Sequence, residues 1–179
     1  MCGIFGAITL LPAIALSGRL EQVSRLLHHR GPDDTGLWTL DNDAHRIDLG
    51  QTRLSIIDLS PGGHQPMVSA DGRHVLTFNG EIYNYKELRI ELQRLGCEFR
   101  SASDTEVLLQ AWETWGEECL PRLRGMFAFA MWDSQERRLT CVRDAFGIKP
   151  LFYANLKGGF YFASELPALR ALVGEPMTM

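Results

Sequence analysis

No two cysteines lie close enough in the sequence to suggest a shared metal: Cys2, Cys97, Cys119 and Cys141 are scattered, with no C-x-x-C pair among them. This spacing supports neither a zinc framework nor a disulfide scaffold, and it fits a reducing, cytoplasmic setting. His28, His29, His45, His64 and His74 fall at no metal-ligand spacing either, so no metal site is expected. A basic run is also missing. The 18 Lys and Arg against 22 Asp and Glu leave a formal net charge of −4, which argues against nucleic acid or an anionic membrane as partner. The apolar stretch from Ile4 to Leu16 lacks a positive flank, since the first basic residue is Arg19, and Pro12 interrupts it. It is too short to span a bilayer and reads as a buried strand and a loop rather than a signal peptide. Internal repeats, low-complexity tracts and a Pro/Gly/Ser-rich linker are absent, so one domain over residues 1–179 is expected.

Hydrophobic residues make up 45% of the chain and charged residues 22%, enough apolar material for a proper core. The opening run Cys2–Thr9 is nearly all apolar, as expected for a strand covered on both faces. Leu20, Val23, Leu26 and Leu27 recur at helical spacing up to the stop at Arg30-Gly31-Pro32. Short strands are expected at Gly36–Leu40, Arg46–Gly50, Arg53–Leu59 and His74–Phe78, with turn chemistry over Ser60–His64. Asn84 with Glu87, and Ser103 with Glu106, have the spacing of capping boxes. The helices they open would carry Leu88, Leu92 and Leu95, ending at Gly96, and then Val107, Leu108, Ala111, Trp112 and Trp115. Past Gly125 the period returns to strands at Met126–Trp132, Leu139–Arg143, Leu151–Ala154 and Gly159–Ala163, with turns such as Asp133–Glu136 and Lys157–Gly159. Strands, helices and strands again make an α+β arrangement of packed layers.

Four positions could carry chemistry, and each also has an ordinary structural reading. Cys2 directly follows the initiator Met1. If Met1 is trimmed, a thiol and a free α-amine of pKa about 8 stand in one residue, nucleophile and base together; otherwise Cys2 is a small apolar residue. Asn79-Gly80 is a hairpin signal between His74–Phe78 and Glu81–Tyr85, or an oxyanion hole made by a side-chain amide and a backbone N–H. Arg53, at the start of the expected strand, is a solvated terminal cation or a fork for a substrate carboxylate. Asp104 sits in the first turn of a helix, where the dipole favours an acid, and could equally bind a substrate ammonium.

The order of the motifs decides among these readings. The relevant segments are Met1-Cys-Gly-Ile-Phe-Gly6, His29-Arg-Gly-Pro-Asp33, Arg53-Leu-Ser-Ile-Ile-Asp58, Phe78-Asn-Gly-Glu-Ile-Tyr-Asn84 and Ser103-Asp-Thr-Glu106. They continue with Leu123-Arg-Gly-Met-Phe-Ala128, Arg143-Asp-Ala-Phe-Gly-Ile-Lys-Pro-Leu-Phe-Tyr153 and Ala163-Ser-Glu165. Together they resemble the amino-terminal domain of class II glutamine amidotransferases, most closely that of glutamine-dependent asparagine synthetase. The resemblance implies a four-layer αββα Ntn-hydrolase sandwich, two antiparallel sheets between helix layers. It also implies Cys2 as nucleophile with its own amine as base, and Asn79 and Gly80 as the oxyanion hole. Arg53 would hold the α-carboxylate of L-glutamine, and Glu81 and Asp104 its α-ammonium. Leu54, Ser55, Ile56 and Ile57 would line the pocket, and Arg30 would support the nucleophile's loop.

These roles suit the chemistry. A zwitterionic amino acid needs opposite charges fixed at one end and an activated carbonyl at the other. One departure stands out: the Ser-Gly-Gly-x-Asp-Ser loop of the synthetase half does not occur before Met179. The resemblance then places ATP and Mg²⁺ in a synthetase domain or subunit outside this chain, with no cofactor in the chain itself. The apolar Leu10–Gly18 connection is a smaller departure. A homo-oligomer is compatible with the sequence. The rival readings are a non-catalytic scaffold or glutamine-binding module on the same fold, and an extracellular disulfide-linked domain.

Overall fold

The computed structural model of the chain describes residues 1–10, 16–41, 45–156 and 158–174. Among these, nine strands form two antiparallel sheets, accompanied by four α-helices. The chain divides into two compact units, Met1–Leu54 with Pro150–Met179, and Ser55–Lys149.

The first unit holds a five-stranded sheet in the order β2-β3-β1-β9-β8. Its strands are β1 (Gly3–Leu10), β2 (Asp34–Asp41), β3 (His45–Arg53), β8 (Phe152–Leu156) and β9 (Gly159–Ala163), with helices α1 (Leu16–Leu27) and α4 (Leu166–Val173). Leu20, Val23 and Leu27 make one stripe along α1. They pack with Leu169 and Leu172 of α4 on Phe5 and Ala7, alternate residues of β1 that share one face of the sheet. Leu26 falls outside the stripe and is exposed. The expected opening strand is β1, buried from Gly3 through Ala7 as its composition requires. The following loop lies largely outside the described residues at 11–15, as does position 157 of the turn before β9.

The second unit holds a four-stranded sheet in the order β4-β5-β6-β7. The strands are β4 (Met67–Val68), β5 (His74–Ile82), β6 (Gly125–Asp133) and β7 (Arg138–Arg143); the helices are α2 (Tyr85–Arg94) and α3 (Asp104–Trp115). Leu76, Phe78 and Ile82 of β5 and Phe127, Phe129 and Met131 of β6 turn one face of the sheet toward Leu88, Leu92, Val107, Leu108 and Trp112. Trp112 meets Phe129 edge-on, ring centroids 5.8 Å apart at 85°. Full burial of each such side chain is worth about 1.5–3 kcal/mol. With that face spent on the core, Thr77, Asn79 and Glu81 point to the other one.

Three sequence expectations are corrected. The Arg53–Leu59 strand does not form. The ladder of β3 ends at the pairs Gly3↔Thr52 and Asp34↔Arg53, and Leu54–Ile57 lie outside any strand. Asn79-Gly80 is no hairpin. Both residues lie inside β5, paired with Ala128 and Phe127, because the apolar run of β6 supplies the better partner. Asn84 does not cap α2 with its side chain; the amide instead donates to the Arg122 carbonyl at 2.9 Å and accepts the Arg124 N–H at 2.9 Å. Ser103 does cap α3, accepting the Glu106 N–H at 3.3 Å. Glu106 does not return the bond; its carboxylate accepts from the backbone of Arg100 and Ser101. No helix among the described residues is long and apolar enough to cross a membrane.

Candidate active site

In the first unit, Cys2 lies just before β1 and is half-buried. Its sulfur sits on the backbone of Leu54, whose N–H points to Sγ at 3.4 Å. The Leu54 carbonyl lies 3.7 Å from the same sulfur. The Cys2 carbonyl is held separately, accepting from Arg30 Nε at 3.0 Å. Arg30 ends the 3₁₀ turn His28–Arg30, and its Nη1 donates to Glu165 Oε1 at 2.9 Å. Thus Cys2, Arg30 and Leu54 are brought together, with Arg53 adjacent.

Arg53 closes β3 rather than opening a strand. Its carbonyl accepts the Asp33 N–H at 3.0 Å, which ties the Arg30–Asp33 turn to the end of the sheet. Gly31 makes this approach feasible. A Cβ there would stand 2.4 Å from the Thr52 carbonyl and 2.5 Å from the carbonyl carbon of Arg53, so any side chain would push the turn off β3.

The chain passes into the second unit at Ser55. Ser55 and Ile57 are half-buried in the connecting loop, and Ile56 is 68% exposed. Asn79, Gly80 and Glu81 are consecutive on β5. Asn79 is 1% exposed, and among the described residues neither Nδ2 nor Oδ1 of its amide has a hydrogen-bond partner. An idle buried amide costs about 1–3 kcal/mol, which makes it a poor choice for stability alone. Gly80 lets β6 approach, since a Cβ there would lie 2.5 Å from the Met126 carbonyl oxygen.

Asp104 begins α3 and is 5% exposed; its Oδ2 accepts the Ile82 N–H at 3.0 Å. This bond places the acid at the end of β5, one residue past Glu81. Burial pushes the Asp104 carboxyl up to about 6 against the pull of its backbone hydrogen bonds, and the neighbouring charge of Glu81 adds to the rise. Two acids sharing one end of a strand form an anionic place that a cation would relieve.

The other cysteines differ from Cys2. Burial pushes both Cys119 and Cys141 up to about 12, while Cys97 lies 3.4 Å from Thr114 Oγ1. Among the described residues no cluster of three or more His, Cys, Asp or Glu could hold a metal ion. The contact between Sγ and the Leu54 backbone had no side-chain signal to announce it. Glu165 was recognisable only as part of a motif, because the helix that it caps was not expected. Pro167 in the first turn and Gly174 just past the end are the available signs of that helix.

Comparison with known proteins matches residues 1–178 to the family described as "Glutamine amidotransferase domain". A putative glutamine-hydrolyzing asparagine synthetase of Mycobacterium tuberculosis is 46% identical over 97% of this chain and 28% of its own length. Asparagine synthetase 1 of Bacillus subtilis is 43% identical over 94% of the chain and 26% of its own, and asparagine synthetase B of Escherichia coli 41% over 94% and 30%. The chain therefore spans about a quarter to a third of the length of these relatives. Among solved structures, the glutamine phosphoribosylpyrophosphate amidotransferase of B. subtilis superposes with a TM-score of 0.75 at 21% identity, over 96% of this chain and 44% of that one. An allosteric regulatory enzyme of purine biosynthesis gives 0.76 at 23%, over 96% and 43%. This likeness establishes the α+β Ntn-hydrolase fold that the motifs implied. With residues 1–178 matched to the family and relatives above 40% identity, the chain belongs to the glutamine amidotransferase domain family.

Proposed function

We propose that the chain hydrolyses L-glutamine to glutamate and ammonia through a thioester on Cys2, and that a synthetase domain or subunit consumes the ammonia. The reaction served is ATP-dependent asparagine synthesis from aspartate, the reading that the names of the relatives favour. The carrying observation is the setting of Cys2: a half-buried sulfur facing a backbone N–H, with the residue's own carbonyl held by Arg30. Once Met1 is removed, the α-amine takes the thiol proton and the sulfur attacks the side-chain amide carbon of glutamine. The proton passes to the departing nitrogen, ammonia leaves, and water cleaves the γ-glutamyl thioester. Asn79 and Gly80 stabilise the oxyanion, consistent with an Asn79 amide that is buried without a partner. Arg53 binds the α-carboxylate, Glu81 and Asp104 the α-ammonium, and Leu54, Ser55, Ile56 and Ile57 line the pocket, with Arg30 supporting Cys2.

In this reading residues 1–179 form one cytoplasmic glutaminase domain, and ATP and Mg²⁺ act only in the synthetase part. The test is an ammonia-release assay on the 179-residue chain with Met1 removed, with and without ATP, Mg²⁺ and aspartate. Ammonia and glutamate in equal amounts without ATP are expected. Asparagine formed by this chain would overturn the domain assignment, and no ammonia under any condition would favour a scaffold.

A further inference from the structure

We infer that Glu165 is a positioning residue for the nucleophile, acting through Arg30; this rests on the thioester reading of Cys2. The guanidinium has two engaged donors, Nε on the Cys2 carbonyl at 3.0 Å and Nη1 on Glu165 Oε1 at 2.9 Å, while Nη2 is buried without a partner among the described residues. A planar fork held at two points has a fixed orientation; held at one, it pivots. Removing the carboxylate therefore releases the group that fixes the Cys2 backbone.

The carboxylate is itself set by the fold. Ser164 clamps β1 from both sides, its N–H donating to the Ile4 carbonyl at 2.8 Å and its Oγ accepting the Ile4 N–H at 2.9 Å. The next residue, Glu165, is extended at φ −138 and ψ 146, and its carbonyl accepts the Leu169 N–H at 3.0 Å as α4 begins. Covalent and hydrogen bonds thus close a ring that runs from Cys2 through Gly3 and Ile4 to Ser164, Glu165, Arg30 and back to Cys2. Ser164 already joins the strands without help from the acid. Glu165 adds a bond to Arg30 and a contact from His29 Nε2 at 3.0 Å on the same oxygen. The His29 side chain is 61% exposed, but those of Arg30 and Glu165 are only 9% and 27% exposed. The Arg30–Glu165 pair is therefore largely covered and losing the acid also costs stability, which is why the alkylation and kcat-against-KM readouts are needed. The consequence for rate lies in where Cys2 is held, and misplacement by about 1 Å can cost on the order of a hundredfold in rate.

The experiment compares Glu165→Ala, Glu165→Gln and Arg30→Ala, alone and combined, in the mature chain. Glu165→Ala is expected to lower kcat for glutamine hydrolysis by roughly tenfold or more, with KM within about twofold. Glu165→Gln keeps an oxygen acceptor for Nη1 and should restore kcat to within about threefold of wild type. In the Arg30→Ala background, Glu165→Ala should cost nothing further. A normal kcat for Glu165→Ala, an effect confined to KM, no rescue by Gln, or a full added loss without Arg30 would each overturn the assignment. Iodoacetamide alkylation followed by mass spectrometry supplies a readout that needs no turnover. Glu165→Ala should change the Cys2 rate severalfold and leave Cys97 unchanged; equal Cys2 rates in both proteins would sink the positioning role. A wild-type chain that releases no ammonia would instead count against the thioester reading, and the alkylation comparison would still decide the role of Glu165.

Discussion

The Asp104 carboxylate accepts the backbone N–H of Ile82 at 3.0 Å, joining the first turn of α3 to the last residue of β5. That bond holds a buried acid whose pKa is pushed up from 3.8 to about 6, with burial as the largest cause. The folded chain therefore prefers the protonated form. The resulting stability is fully present below the unfolded value and is lost as pH rises through about 6; the change corresponds to roughly 3 kcal/mol. Asp104→Asn should melt above wild type at about pH 8, with the gap narrowing toward about pH 5. If Asp104 receives the ammonium of glutamine as proposed, the ionised acid is required, and wild-type kcat/KM should fall as pH drops through about 6. Calorimetry across that range checks the first point, and a melting gap that does not change with pH would refute it.

The buried Asn79 amide has no partner to lose among the described residues. Asn79→Ala should therefore leave the melting temperature within a few degrees of wild type while lowering kcat by roughly a hundredfold or more. The inverse pattern, a large melting loss with a normal rate in the folded fraction, would make Asn79 a structural strand residue.

Cys2 is half-buried, whereas burial holds the Cys119 and Cys141 thiols up at about 12. A glutamine-like diazoketone should label Cys2 and spare Cys97, Cys119 and Cys141; even labelling would deny Cys2 special reactivity. An amino-terminal extension that keeps Met1 in place should abolish ammonia release without changing the melting curve. Full activity in the extended chain would rule out the α-amine as base.

Arg53 is nearly buried at the end of β3. Arg53→Lys keeps the charge but loses the planar fork, so KM for glutamine should rise by about tenfold or more with kcat little changed. Steady-state kinetics would expose a merely structural residue through a normal KM.

Period and composition were enough to locate most of the elements. The apolar run at the amino terminus, Leu20, Val23 and Leu27 of α1, and the Val107–Trp112 stripe bury the faces that the sequence assigned to them, while Leu26 of the expected α1 stripe is exposed. The misplaced boundaries share one cause: local pattern does not name the partner. Leu54–Ile57 look like a strand, but the ladder of β3 runs out at Arg53. Asn79-Gly80 look like a turn, but Glu81 and Ile82 pair with Met126 and Gly125, more than forty positions away. Helix α4 was overlooked because its eight residues are too short for a convincing period.

The sequence by itself determined the family, because collinear motifs record residue types directly, and it named the candidate reactive groups that remain to be tested. Only the tertiary structure decided that Leu54 meets the Cys2 sulfur through its backbone, that Arg30 joins Cys2 to Glu165, and that the Asn79 amide is buried without a partner among the described residues. The physical reason is that these are properties of contact and desolvation between segments 28 to 135 positions apart, and no local pattern encodes them.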